Sequence, residues 1–102
     1  MPLFLTRKEV FQWLKEGKKT IEIRKGNPRQ GNVAIFQAGR YVLRMKILKT
    51  QTGHLAEIVQ TNNYEQIIPT AETLSDAIVY FHRLYGDYGG VFTAYYVMPE
   101  KS

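Results

Sequence analysis

The chain has 102 residues, no cysteine, 44% hydrophobic residues and a formal net charge of +5. A chain of that length buries over ~60% of its unfolded surface without a metal or covalent staple, and the lack of thiols excludes disulfides and thiolate metal sites. The charge is divided: residues 1–49 carry twelve Lys/Arg against three Glu (+9), and residues 50–102 carry two against six acids (−4).

Thr6 and Glu9 have the Thr-x-x-Glu spacing of a capping box, flanked by Leu5 and Val10 where a hydrophobic staple would close, so a helix is expected from Arg7. Val10, Phe11 and Leu14 recur at helical spacing with Trp13 beside them, and Gly17 suits the left-handed residue that ends a helix. Arg7 and Lys8 oppose the macrodipole at its N-terminus, a small cost compatible with an anion site there and equally with none.

The next stretch, Gly17 to Arg24, reads Gly-Lys-Lys-Thr-Ile-Glu-Ile-Arg. Strand side chains switch faces at every residue, which puts Ile21 and Ile23 on one side and Thr20, Glu22 and Arg24 on the other. Lys25 to Gly31 collects two glycines, a proline and basic residues, the mark of an exposed loop. Val33 to Phe36 is apolar on both faces, as in a barrel strand covered on its outside by a helix.

A hairpin turn at Ala38-Gly39 leads into a strand over 40–49, with Tyr41, Leu43, Met45 and Ile47 on one face and Arg44 and Lys46 on the other. Should that strand lie beside Glu22 and Arg24, Arg40, Arg44 and Lys46 extend a cationic surface able to track phosphates; otherwise they make an ordinary solvated face. Residues 53–60 form a short helix, with Ile67-Ile68-Pro69 as an apolar anchor after it. Thr73 and Asp76 make a second capping box, and Leu74, Ala77, Ile78, Phe81, Leu84 and Tyr85 follow at helical spacing up to Gly86. His82 falls on the opposite, surface side. Val91 to Met98, β-branched and aromatic, suits a central strand.

The spacing Gly17, Lys19, Glu22, Arg24 resembles the G-x-K-x-x-E-x-R signature of ASCH domains, small members of the PUA-like β-barrel class. Gly31 to Phe36, Tyr64 to Pro69 and Gly90 to Tyr95 are similar, in the family's order, to its later strands and its segment before a long helix. The resemblance implies an α+β fold, a PUA-like β-barrel of five to six strands with two main α-helices and one short helix, in a single domain spanning 1–102. It also implies a cleft where Lys19, Glu22 and Arg24 converge, with RNA-related binding as the family's proposed role. Tyr85 and Tyr88 fall where similar proteins place an aromatic residue, and a ring there would stack on a base. The helical pattern gives Tyr85 a core role as an alternative.

By its own chemistry the corner suits a nucleotide: an arginine fork and a lysine hold anions, and a glutamate accepts from an exocyclic amine. Glu22 and Arg24 could instead pair with each other only to fix the barrel mouth. The candidate ligand-binding set is Lys19, Glu22, Arg24, Arg44, Lys46 and Tyr85, and the expected partner is RNA or a nucleotide-like ligand.

One alternative is a small hydrolase, a ribonuclease or an acetylcytidine amidohydrolase-like enzyme, with Lys19 and Glu22 as acid and base. Against the amidohydrolase, the family's Thr three residues after the Lys is here Glu22, and no acidic residue lies between Gly31 and Thr50, where its later Glu would stand. A second alternative is a non-catalytic protein-interaction module. No cofactor or metal is called for: His54 and His82 lie far apart without carboxylates in ligand spacing. The apolar runs are far shorter than the ~20 residues of a membrane span, and the N-terminus has no leader pattern, so no membrane partner and a cytoplasmic location are expected.

Overall fold

The computed structural model describes residues 1–100. Its elements are β1 (Leu3–Leu5), α1 (Lys8–Lys15), β2 (Ile21–Lys25), β3 (Val33–Ala38), β4 (Tyr41–Gly53), α2 (Leu55–Ile58), α3 (Tyr64–Ile67), α4 (Leu74–Tyr85) and β5 (Phe92–Pro99). The five strands form one curled half-barrel sheet in the order β1-β3-β4-β5-β2. All neighbours are antiparallel except β1 and β3. This is an α+β fold consistent with a PUA-like barrel. It carries one short helix more than expected, because Tyr64–Ile67 also winds into a turn of helix.

Several local expectations shift by a residue or a partner. Helix α1 is capped at Arg7 without a side-chain bond, because the Thr6 hydroxyl is drawn 3.4 Å toward the Gln37 carbonyl instead of back onto the helix. In α4 the cap forms as expected, Thr73 accepting from the Asp76 amide at 3.1 Å, while the Asp76 carboxylate accepts from the Glu72 amide. The hairpin turns at Gly39-Arg40, since Ala38 and Tyr41 are already paired. Gly39, with φ of 61°, takes the first central position of a two-residue turn, where a positive φ matches the twist of the flanking strands.

The register assigns every side chain a face. Glu22 and Arg24 share theirs with their partners Tyr95 and Thr93, and this inner face continues through Val97, Ile47, Met45 and Phe36 to Phe4. Val10 and Leu14 of α1 pack onto it, so the helix plugs the concave side. It covers Ala34 and Phe36, not the outer Val33 and Ile35, which stay half-buried. On the convex side Ile21, Ile23, Phe92 and Ala94 pack against residues of α2, α3 and α4. The buried apolar residues therefore form two clusters, one on each side of the sheet.

The edges of the half-barrel are β1 and β2, and arginines span the interval between them. Arg24 Nη2 donates to the Leu5 carbonyl at 2.9 Å, and Arg29 Nη1 donates to the Leu3 carbonyl at 2.9 Å. Both guanidinium groups lie over the Phe4 ring, at 4.8 and 5.1 Å from its centroid. Two carbonyls of an edge strand are thus satisfied by side chains.

Candidate functional site

The site begins at the bend after α1. Gly17 has φ of 78°, a conformation that costs other residues about 1–2 kcal/mol, and it lets the chain turn so that the Lys18 and Lys19 amides both reach the Trp13 carbonyl (2.9 and 3.1 Å). Helix α3 fixes the far side of the bend: the Thr20 amide donates to the Gln66 carbonyl at 3.0 Å, and Lys19 Nζ donates to the Ile67 carbonyl at 2.6 Å.

Lys19 is only 2% exposed, and Glu22 only 5%. Their charges are compensated within the site. Lys19 Nζ lies 3.3 Å from Glu22 Oε1, while Arg24 approaches Glu22 Oε2 through Nη2 at 2.7 Å and donates to it through Nε at 2.8 Å. Burial holds the Lys19 pKa below that of an ordinary lysine; the Glu22 carboxylate works against this and Arg24 reinforces it. A carboxylate between two cations leaves the triad with one net positive charge.

Beside the triad is a cleft of about 220 Å³, between the entry to α1, strand β2 and the C-terminal half of α4. Lys19, Glu22 and Arg24 line one wall, and Tyr80 and Tyr85 belong to the other. Burial raises the pKa of both phenols, and both feel the charges of Glu22 and Arg24. Tyr85 also packs edge-on against Phe92, with ring centroids 5.3 Å apart, so it serves core and cleft together. Among the described residues lining the cleft, Glu22 is the one carboxylate.

Of the residues singled out from the sequence, Lys19, Glu22, Arg24 and Tyr85 come together here. Arg44 and Lys46 do not. They pair with Ile35 and Val33 on the convex face, β5 separates their strand from β2, and Arg44 Nε donates to Glu100 at 3.0 Å. Tyr88 is also elsewhere: its hydroxyl donates to the Val91 carbonyl at 2.9 Å, and Lys25 lies over its ring.

Leu84 was expected in the core but stands 44% exposed on the cleft rim. Tyr80 and Arg7 line the cleft and were not among the expected site residues. The sequence held a signal for Tyr80. A tyrosine three residues after Ala77 and four before Leu84 falls on the shoulder of the apolar stripe, where a ring can be buried while its hydroxyl stays wet.

Neither a protein-family model nor a curated protein sequence matches the chain. Solved structures do. The crystal structure of hypothetical protein PH0355 superposes with a TM-score of 0.78 at 18% identity, over 98% of this chain and 100% of that one. The solution structure of protein PF0455 from Pyrococcus furiosus gives 0.71 at 20% identity, over 99% and 98%. The crystal structure of ASCH from Zymomonas mobilis gives 0.70 at 16% identity, over 97% of this chain and 67% of that one. The fold is that of an ASCH domain.

At these identities the likeness is one of fold. Within this ASCH-like fold, the residues at the signature spacing form the ion triad, and the two tyrosines come from α4. No helix among the described residues is long and apolar enough to cross a membrane. Among the same residues, no three His, Asp or Glu side chains are grouped to hold a metal ion.

Proposed function

We propose that the cleft binds an unpaired nucleotide of RNA, or a nucleotide-like small molecule. The observation that carries this reading is the meeting of a buried Lys19–Glu22–Arg24 triad with two tyrosine rings around one opening. Rings stack on any base, a carboxylate accepts from an exocyclic amine, and the surplus positive charge favours an anion. A volume of about 220 Å³ lies below the range usual for drug-sized ligands, which suits one splayed base and excludes a duplex.

The test is a titration of labelled single-stranded RNA, structured RNA and free nucleosides at two salt concentrations, with product formation followed in parallel. The reading expects unpaired RNA or a nucleoside to bind, and expects Arg24→Glu to abolish binding. Arg24 also holds β1, so Tyr80→Ala supplies a second variant that leaves the strand contacts in place. RNA binding unchanged in both variants overturns the assignment.

A hydrolase is the second reading, favoured by the depressed pKa of Lys19 next to a carboxylate. A lysine that gives up its proton more readily than an ordinary one is better suited to act as a base, with Glu22 as its partner. It expects turnover of RNA or a modified nucleoside that Lys19→Met removes while binding persists.

A further inference from the structure

The cleft does not end at the triad. It adjoins a second groove of about 470 Å³, and Arg7, Ile68, Tyr80 and Leu84 line both. Tyr80 stands at the junction, its phenol within reach of the charges of Arg7 and Glu9 as well as Glu22 and Arg24. The outer groove is electrically two-ended. Arg7 and Arg83 line it with Glu72 and Asp76. On α4, Arg83 lies in the turn that carries Leu84, next to the inner cleft, whereas Asp76 is two turns back, about 10 Å along the axis. Both arginines are exposed, and among the described residues neither guanidinium enters an ion pair or a side-chain hydrogen bond.

Resting on the reading above, we infer that the two chambers together form a site for a single terminal nucleotide, a nucleoside monophosphate. The base enters the inner cleft between the triad and the tyrosines, and its one phosphate is held by Arg7 and Arg83 at the mouth. Two free guanidinium groups are suited to a phosphate, which they bind through paired N–H donors. The acidic end sets the length of the ligand. A chain continued along the groove would carry its next phosphates against Glu72 and Asp76, where like charges repel; a ligand with one phosphate stops short of them.

The experiment compares each of the four common nucleosides, its monophosphate, inorganic phosphate and an eight-residue oligonucleotide by calorimetry, on the parent and on Arg7→Gln and Arg83→Gln. The expected result is a monophosphate bound at least about tenfold more tightly than its nucleoside. Each arginine variant should shrink that gap, weakening the monophosphate more than the nucleoside. A nucleoside bound as tightly as its monophosphate, or a gap unmoved in both variants, overturns this inference while the base-binding cleft stands. An oligonucleotide that binds more tightly than the monophosphate overturns the terminal-nucleotide assignment alone. Binding by none of the probes overturns both readings.

Discussion

Lys19, just after the bend that follows α1, and Glu22, on β2, meet at 3.3 Å with both side chains almost wholly buried. Each makes the other's charge tolerable. Removing one member of a buried pair leaves an uncompensated charge, typically at 3–5 kcal/mol, whereas removing both together is often nearly neutral. Glu22→Gln is therefore expected to destabilise the fold by about 3 kcal/mol, because it leaves Lys19 facing Arg24. Lys19→Met combined with Glu22→Gln should recover much of that loss. Urea denaturation of the parent, both single variants and the double variant checks this, and additive losses would show that the pair is not coupled.

Stability should also respond to pH through Lys19. Burial lowers its folded-state pKa, so between that value and the ordinary lysine value the unfolded chain holds more protons than the fold. Folding stability contributed at this position therefore rises as pH rises through the window, and is lower below it. The signal is the difference between the parent and Lys19→Met, which should move in the parent's favour on going alkaline. Tyr80 and Tyr85 act in the opposite sense: their raised pKa values make stability fall as pH climbs past the ordinary tyrosine value. They are present in both proteins and cancel in the difference. A parent-minus-variant stability flat from neutral to alkaline pH would contradict the lowered lysine.

Arg24 links the candidate site to barrel closure. Its guanidinium holds Glu22 through two nitrogens, reaches the Leu5 carbonyl and lies over Phe4. Lysine keeps the charge but not the fork. Arg24→Lys is expected to cost about 2 kcal/mol, the scale of a charge-assisted bond lost from a partly buried group. Amide exchange should accelerate in β1 more than in β4 or β5, since β1 loses one of the two side chains that tie its edge. Uniform acceleration across the sheet would count against that role.

The triad was legible from the sequence because it is local: one glycine, one bend and the alternation of a short strand put Lys19, Glu22 and Arg24 within reach of one another. Arg44 and Lys46 mark where such reasoning stops. Their alternation correctly placed them together on an exposed face, but alternation within a strand carries no information on strand order. The insertion of β5 between β4 and β2 depends on pairings made by distant residues. Thr6 shows a second limit: its Thr-x-x-Glu spacing named it the cap, but the helix is capped one residue later at Arg7, and the Thr6 hydroxyl donates to the Gln37 carbonyl, which β1–β3 pairing brings near. Leu84 shows a third. A helical stripe names the residues that face inward, and not those that end on the lip of a cleft.

Tyr80 and Tyr85 both pack against the convex cluster but meet different aromatic partners. Tyr85 shares its ring with Phe92 in the convex cluster, so truncating it disturbs both stability and the cleft. Tyr80 meets Phe81 edge-on at 5.4 Å, a neighbour on its own helix, and lines both chambers. Stacking a base on an aromatic ring is worth about 1–3 kcal/mol by alanine substitution. Tyr80→Ala is expected to weaken nucleotide binding by roughly that amount, while Tyr80→Phe keeps most of the affinity because the ring face, not the hydroxyl, does the stacking. The same comparison at Tyr85 should change thermal stability along with binding. A Tyr80→Phe variant as weak as Tyr80→Ala would move the interaction from the ring to the hydroxyl, and make Tyr80 a hydrogen-bonding partner of the ligand instead of a platform for its base.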